Sequence, residues 1–120
     1  MATGVTKYIS LLFAARTQAH VFHLKTRSFA AHKALEDFYK GIVDLADSYV
    51  ETYQGNRRQL IGTIKSYKIL NDPKKSLVFL VGLKRAIMRL KLPRSGPLRN
   101  IQDSVMELID STIYKLKFLK

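Results

Sequence analysis

The chain has 120 residues, is 47% hydrophobic and contains no cysteine, and its formal charge is +12. That length and apolar content bury one core, which predicts a single soluble domain over residues 1–120, and the missing cysteine excludes disulfides and thiolate zinc sites. The charge points to phosphate backbones, anionic lipid or an acidic protein surface without choosing among them, while the apolar run 9–15, cut by Arg16, is too short to span a membrane, so a cytoplasmic location is expected.

Apolar residues recur at helical spacing between Gly and Pro marks, which predicts an all-α chain of four helices. The first covers about 5–24, with Ile9, Leu12, Phe13, Ala19, His20 and His23 on one broad stripe that turns His20 inward or nearly so. After a polar link at 25–27, the Ser28 hydroxyl can cap a second helix through Ala31, Leu35, Phe38, Ile42, Leu45 and Tyr49. Gln54-Gly55-Asn56 marks its end, and the segment to Asn71 reads equally as a short helix or an ordered crossover. Asp72-Pro73 is a start signal for a third helix over 73–92, since Asp accepts from orphan amides and Pro at the first position has no amide hydrogen to lose. Pro93 stops it, and a fourth helix runs from near Pro97 to the C-terminus, with Lys115, Lys117 and Lys120 at its negative end. Four helices joined by short or medium links imply a bundle.

His20, His32, Glu36, Asp47 and Glu51 supply imidazole and carboxylate without thiolate, the ligand chemistry of iron, manganese or zinc. On the second helix His32, Glu36, Asp47 and Glu51 share one face that points away from the core stripe. Glu36 and Asp47 lie about 16 Å apart along the axis at 1.5 Å per residue, so the two pairs cannot grip one ion within one chain. An antiparallel copy related by a twofold axis midway between residues 41 and 42 would bring His32 to the partner's Glu51 and Glu36 to the partner's Asp47, both pairs being equidistant from that axis. Tyr39, Val43 and Val50 flank the face, and His20 can reach it from the first helix, whereas His23 is read as packing or as support for the ligands.

The pattern His-x11-His-x3-acid-x10-Asp-x3-Glu over residues 20–51 resembles the ferroxidase motif of Dps-type mini-ferritins, members of the ferritin-like family. The resemblance implies a ferritin-like four-helix bundle with its metal site at a subunit twofold. His20, His32 and Glu36 of one chain would face Asp47 and Glu51 of the other. It further implies a hollow dodecamer that oxidises Fe(II) with peroxide or oxygen and stores the product, with iron as the cofactor and zinc or manganese as alternatives. Three positions depart from the family pattern: Val21 stands where it has Trp, Glu36 where it has Asp, and the loop Gly is missing. The run from Phe22-His23-Leu24-Lys25-Thr26 through Gln54-Gly55 also resembles a group of short phage proteins, which implies a viral origin and a place in the host cytoplasm or the virion.

Basic residues cluster at 57–58, 65–68, 74–75, 84–85, 89–99 and 115–120, with Tyr67, Tyr114 and Phe118 interleaved. On a multimer they would bind DNA without sequence preference, through phosphate contacts that salt weakens. The contrasting reading is a phage virion, assembly or DNA-binding protein whose metal face is silent, its acids merely decorating an exposed helix. No nucleophile and base pair and no Gly-rich phosphate loop competes with these readings.

Overall fold

A hairpin of two long helices organises the chain. In the computed structural model, which describes residues 3–120, α1 (Thr3–Lys25) and α2 (Phe29–Arg57) are joined by a three-residue link and run antiparallel. The Ser28 hydroxyl accepts from the Ala31 amide at 3.1 Å and so caps α2 as expected. At 29 residues α2 is about 43 Å long, close to the 45 Å long axis of the molecule.

The end expected at 54–56 comes one residue later, at Arg57. Gly55 lies inside α2, which continues to Arg57 and closes on Arg58, a residue in the left-handed region (φ 54°) whose amide donates to the Gln54 carbonyl. Residues 59–72 then form no helix. They cross the surface of α1 as an extended strap, running in the same direction as that helix. The Gly62 amide donates to Thr6 Oγ1 and the Lys65 amide to Ser10 Oγ, each at 3.0 Å. Gln18 both accepts from the Leu70 amide and donates to its carbonyl, at 2.7 Å each. Side chains of α1 thus satisfy backbone groups that a sheet ladder would otherwise pair.

Asp72 does start a helical element, but a short one: Oδ1 accepts from the Lys74 amide at 3.0 Å and caps a 3-10 turn, Pro73–Lys75. From it α3 (Ser76–Met88) continues, and it ends four residues before the expected Leu92. The Arg89 and Leu90 amides bond back to Ala86 and Ile87 carbonyls, and the chain then turns so that the Lys91 carbonyl lies against the start of α1. A Cβ on Gly4 would sit 2.6 Å from that carbonyl oxygen, which is why only glycine fits there. Pro97 occupies the first turn of α4 (Gly96–Phe118).

The core gathers Tyr8, Ile9, Leu12 and Phe22 of α1, Leu35, Phe38, Ile42 and Tyr49 of α2, Leu80 and Leu83 of α3, and Leu98, Val105 and Ile109 of α4. The pairs α1 with α2 and α2 with α4 make the main helix contacts, and α3 packs on α4 and α1. Gly41 lets α4 approach α2 closely, since a Cβ there would meet the Leu108 side chain at 3.0 Å. The architecture is an all-α bundle of four helices, without strands among the described residues. Among the described residues no helix is long and apolar enough to cross a membrane.

Candidate metal centre

His23 and His32 lie almost equally far from the link 26–28, on facing turns of an antiparallel hairpin, so the fold brings them together. Their rings stack with centroids 3.7 Å apart and planes 23° from parallel. His23 Nδ1 lies 2.8 Å from the His32 carbonyl oxygen, and His32 Nδ1 lies 3.0 Å from the His23 carbonyl oxygen. A carbonyl only accepts, so each Nδ1 carries the hydrogen and each Nε2 presents a lone pair. The His23 carbonyl belongs to the last turn of α1, where helix geometry leaves acceptors without partners, and the His32 ring fills that vacancy.

Glu36 stands one turn along α2 from His32. One ring nitrogen from each histidine and one Glu36 oxygen lie within 4.8 Å of one another. His23 is buried, while His32 and Glu36 are half-buried, so the group opens to solvent on one side. Glu36 Oε2 accepts from Lys40 Nζ at 2.6 Å, and Lys33 Nζ lies 3.7 Å from Oε1. The Lys40 hydrogen bond, chiefly, holds the Glu36 carboxyl below the usual carboxylate range, with the charges of Lys33 and Lys40 acting in the same direction.

The donor chemistry fits a divalent first-row ion. Ligating histidines commonly donate their second ring N–H to a backbone carbonyl, which orients the ring and fixes its tautomer. Both histidines already do so here. With metal–ligand distances of about 2.0–2.2 Å, the three donors would have to draw together, the rings fanning apart about their Nδ1 anchors and Glu36 leaving Lys40.

The five residues singled out in the sequence do not assemble as a set within the chain. His32 and Glu36 join, with His23 as their third member. His20 is not turned inward: it is exposed and stacks on Tyr39, ring centroids 4.4 Å apart, with the His23 ring 6.0 Å away. Asp47 is exposed beside a shallow hollow of about 180 Å³ that includes Phe13, Arg16 and Val43, and Glu51 is exposed further along α2. His23, read from the sequence as packing or as support for the ligands, is buried against the His32 ring. The signal was present: the short link and the Ser28 cap set the hairpin register that places residue 23 opposite residue 32.

The fold and the site together define a small all-helical protein with a histidine and carboxylate cluster at one end of its first helical hairpin. Residues 23–116 match a family of unknown function, DUF5856, and the chain belongs to that family. It is also similar to a protein of Enterobacteria phage T4 described as the uncharacterized 14.6 kDa protein in the mobD-ri intergenic region. The two are 39% identical over 49 residues, 41% of this chain and 38% of that protein, so the chain spans well under two thirds of that relative. No solved structure matches the chain.

These findings correct the resemblance to Dps-type mini-ferritins. The family that covers 23–116 is a different one. Within the motif that suggested the resemblance, His32 with Glu36 and Asp47 with Glu51 are i,i+4 pairs, which any exposed helix face can carry. Val21, Glu36 and the missing loop Gly were the places where the match already failed.

Proposed function

We propose that this protein binds a divalent first-row transition ion through His23 Nε2, His32 Nε2 and the Glu36 carboxylate. The observation that carries the reading is the reciprocal pair of Nδ1 hydrogen bonds to backbone carbonyls, which holds both histidines in the ligating tautomer before any ion arrives. Two imidazoles and one carboxylate form a donor set that suits Fe(II), Mn(II) and Zn(II) and leaves coordination positions for water or a small oxidant. Fe(II) is the ion for which such open positions supply redox chemistry.

Titration of the purified chain with Zn(II), Mn(II) and anaerobic Fe(II) by calorimetry tests the reading. Stoichiometric binding is expected, and His23→Ala, His32→Ala and Glu36→Ala should each weaken it by more than about tenfold. Asp47→Ala should change nothing in the monomer. Binding that survives all three site substitutions would refute the assignment. Loss of Fe(II) on admitting air, faster with wild type than with His32→Ala, would add iron oxidation to binding.

A further inference from the structure

Charge on this chain is segregated. Between residues 57 and 99 there are twelve lysines and arginines and a single acid, Asp72, whose carboxylate is engaged in capping Lys74. The same stretch carries apolar side chains that face solvent, with Leu60, Ile64, Tyr67, Leu70, Val78 and Met88 all exposed. Two hollows lie between the strap and its neighbours. The larger, about 470 Å³, has Leu11 and Ala14 of α1 as its floor, Tyr67 to Ile69 of the strap as one wall, and Val78, Gly82 and Ala86 of α3 as the other. The second, about 350 Å³, continues past Tyr67 between α1 and residues 64–66.

Arg85 of α3 stands three residues from Gly82, and Lys75 and Arg89, which flank the helix at its two ends, stand three residues from Val78 and Ala86. Lys68 lines the larger hollow and Lys65 the smaller. Among the described residues none of Lys65, Lys68, Lys75, Arg85 and Arg89 is paired with a carboxylate, unlike Lys84, which binds Asp110 at 2.7 Å. A Cβ on Gly82 would meet nothing within 4 Å, so the groove is open along α3.

We infer that this groove is a docking site for an acidic amphipathic helix of another protein. Its apolar floor takes a stripe of apolar side chains at i, i+4 and i+7, and its basic rim pairs with acids on either side of that stripe. A nucleic acid would satisfy the rim and leave the apolar floor unfilled. The inference does not depend on the metal site, which lies at the opposite face of α1, against α2.

The probe is a fluorescein-labelled synthetic peptide of about 18 residues, with Leu at i, i+4 and i+7 and Glu on the remaining face. Its anisotropy should rise on titration with the full chain, and a scrambled peptide of equal charge should bind at least tenfold more weakly. Gly82→Leu, which fills the groove from an open helical position, and the pair Arg85→Glu and Arg89→Glu should each weaken binding at least tenfold, with circular dichroism melts verifying the fold. Equal binding of matched and scrambled peptides would overturn the inference, as would no binding at all. A 24-base-pair DNA whose binding the Arg85 and Arg89 reversals abolish and Gly82→Leu leaves intact, with no effect of the matched peptide, would reassign the surface to phosphate backbones. A doubling of mass in light scattering that Gly82→Leu removes would give the groove to a second copy of this chain and equally overturn the proposal.

Discussion

Tyr8 is a fully buried side chain whose hydroxyl has no hydrogen-bond partner among the described residues. Its ring packs edge-on against Tyr49, with centroids 5.0 Å apart, and Tyr49 takes the available donor, Gln102 Nε2 at 2.8 Å. Leaving a buried hydroxyl unpaired costs roughly 1–3 kcal/mol, so Tyr8→Phe is expected to stabilise the protein by about 1 kcal/mol in chemical denaturation, against the usual sign for a core substitution. Burial, with the Tyr49 charge second, pushes the Tyr8 phenol well above its ordinary 10.0. A raised folded value means that the stability this favours is complete below pH 10 and is lost as pH rises above it, because only the unfolded chain ionises there. The loss from Tyr8 should approach about 1.4 kcal/mol per pH unit, and it should vanish from the pH profile of Tyr8→Phe. A second residue-scale prediction concerns Lys40, which competes with any cation for Glu36. Lys40→Met should tighten Zn(II) binding several-fold in calorimetry while Glu36→Gln weakens it. The Glu36–Lys40 pair adds its small stabilisation at neutral pH and loses it as pH falls through the lowered Glu36 value.

At the scale of elements, Gln18 carries the strap. It is 1% exposed and clamps both backbone groups of Leu70, where Thr6 and Ser10 each hold only one amide. Gln18→Leu keeps the volume but orphans the Leu70 amide and carbonyl, at a cost of about 1–3 kcal/mol each unless the strap lifts to reach water. The expected outcome is lifting: tryptic cleavage at Lys65 and Lys68 should accelerate at least tenfold while the helical circular dichroism is retained. Unchanged cleavage would show that the apolar contacts of Ile61 and Ile69 suffice. The strap also marks where sequence reasoning runs out. The four helices were legible because apolar positions recur every three or four residues over long stretches, and Ser28 and Asp72 were legible as caps because their chemistry is local. Residues 60–69 have no single period, and what shapes them is a row of α1 side chains that sequence spacing does not announce. Gly55 marks the end of α2 to within two residues and lies inside its last turn: its cost in a helix is about 1 kcal/mol, and burial of Tyr53 with the Gln54 contact to Ile61 outweighs it. The site divides in the same way, with His32 and Glu36 readable from one helix and His23 readable only once two helices are placed in register.

For the molecule as a whole, the uneven spread of charge should produce an uneven spread of stability. Helices α1, α2 and α4 bury long apolar stripes against one another, whereas α3 has 13 residues, of which only Ser76, Leu80, Leu83 and Ile87 are buried. The strap that leads into α3 is exposed almost throughout. Residues 58–88 carry seven basic residues and one acid, half of the chain's +12, so at low ionic strength they repel themselves and favour opening. Hydrogen exchange read by mass spectrometry should therefore find 58–88 opening as a unit at lower free energy than the centre of α2 around Phe38 to Tyr49. Raising salt from about 20 mM to 300 mM shortens the screening length several-fold, and protection should rise selectively in 58–88 while the α2 amides change little. A uniform response would mean that α3 and the strap unfold only with the whole bundle, and that the repulsion among their lysines and arginines is already relieved by solvent.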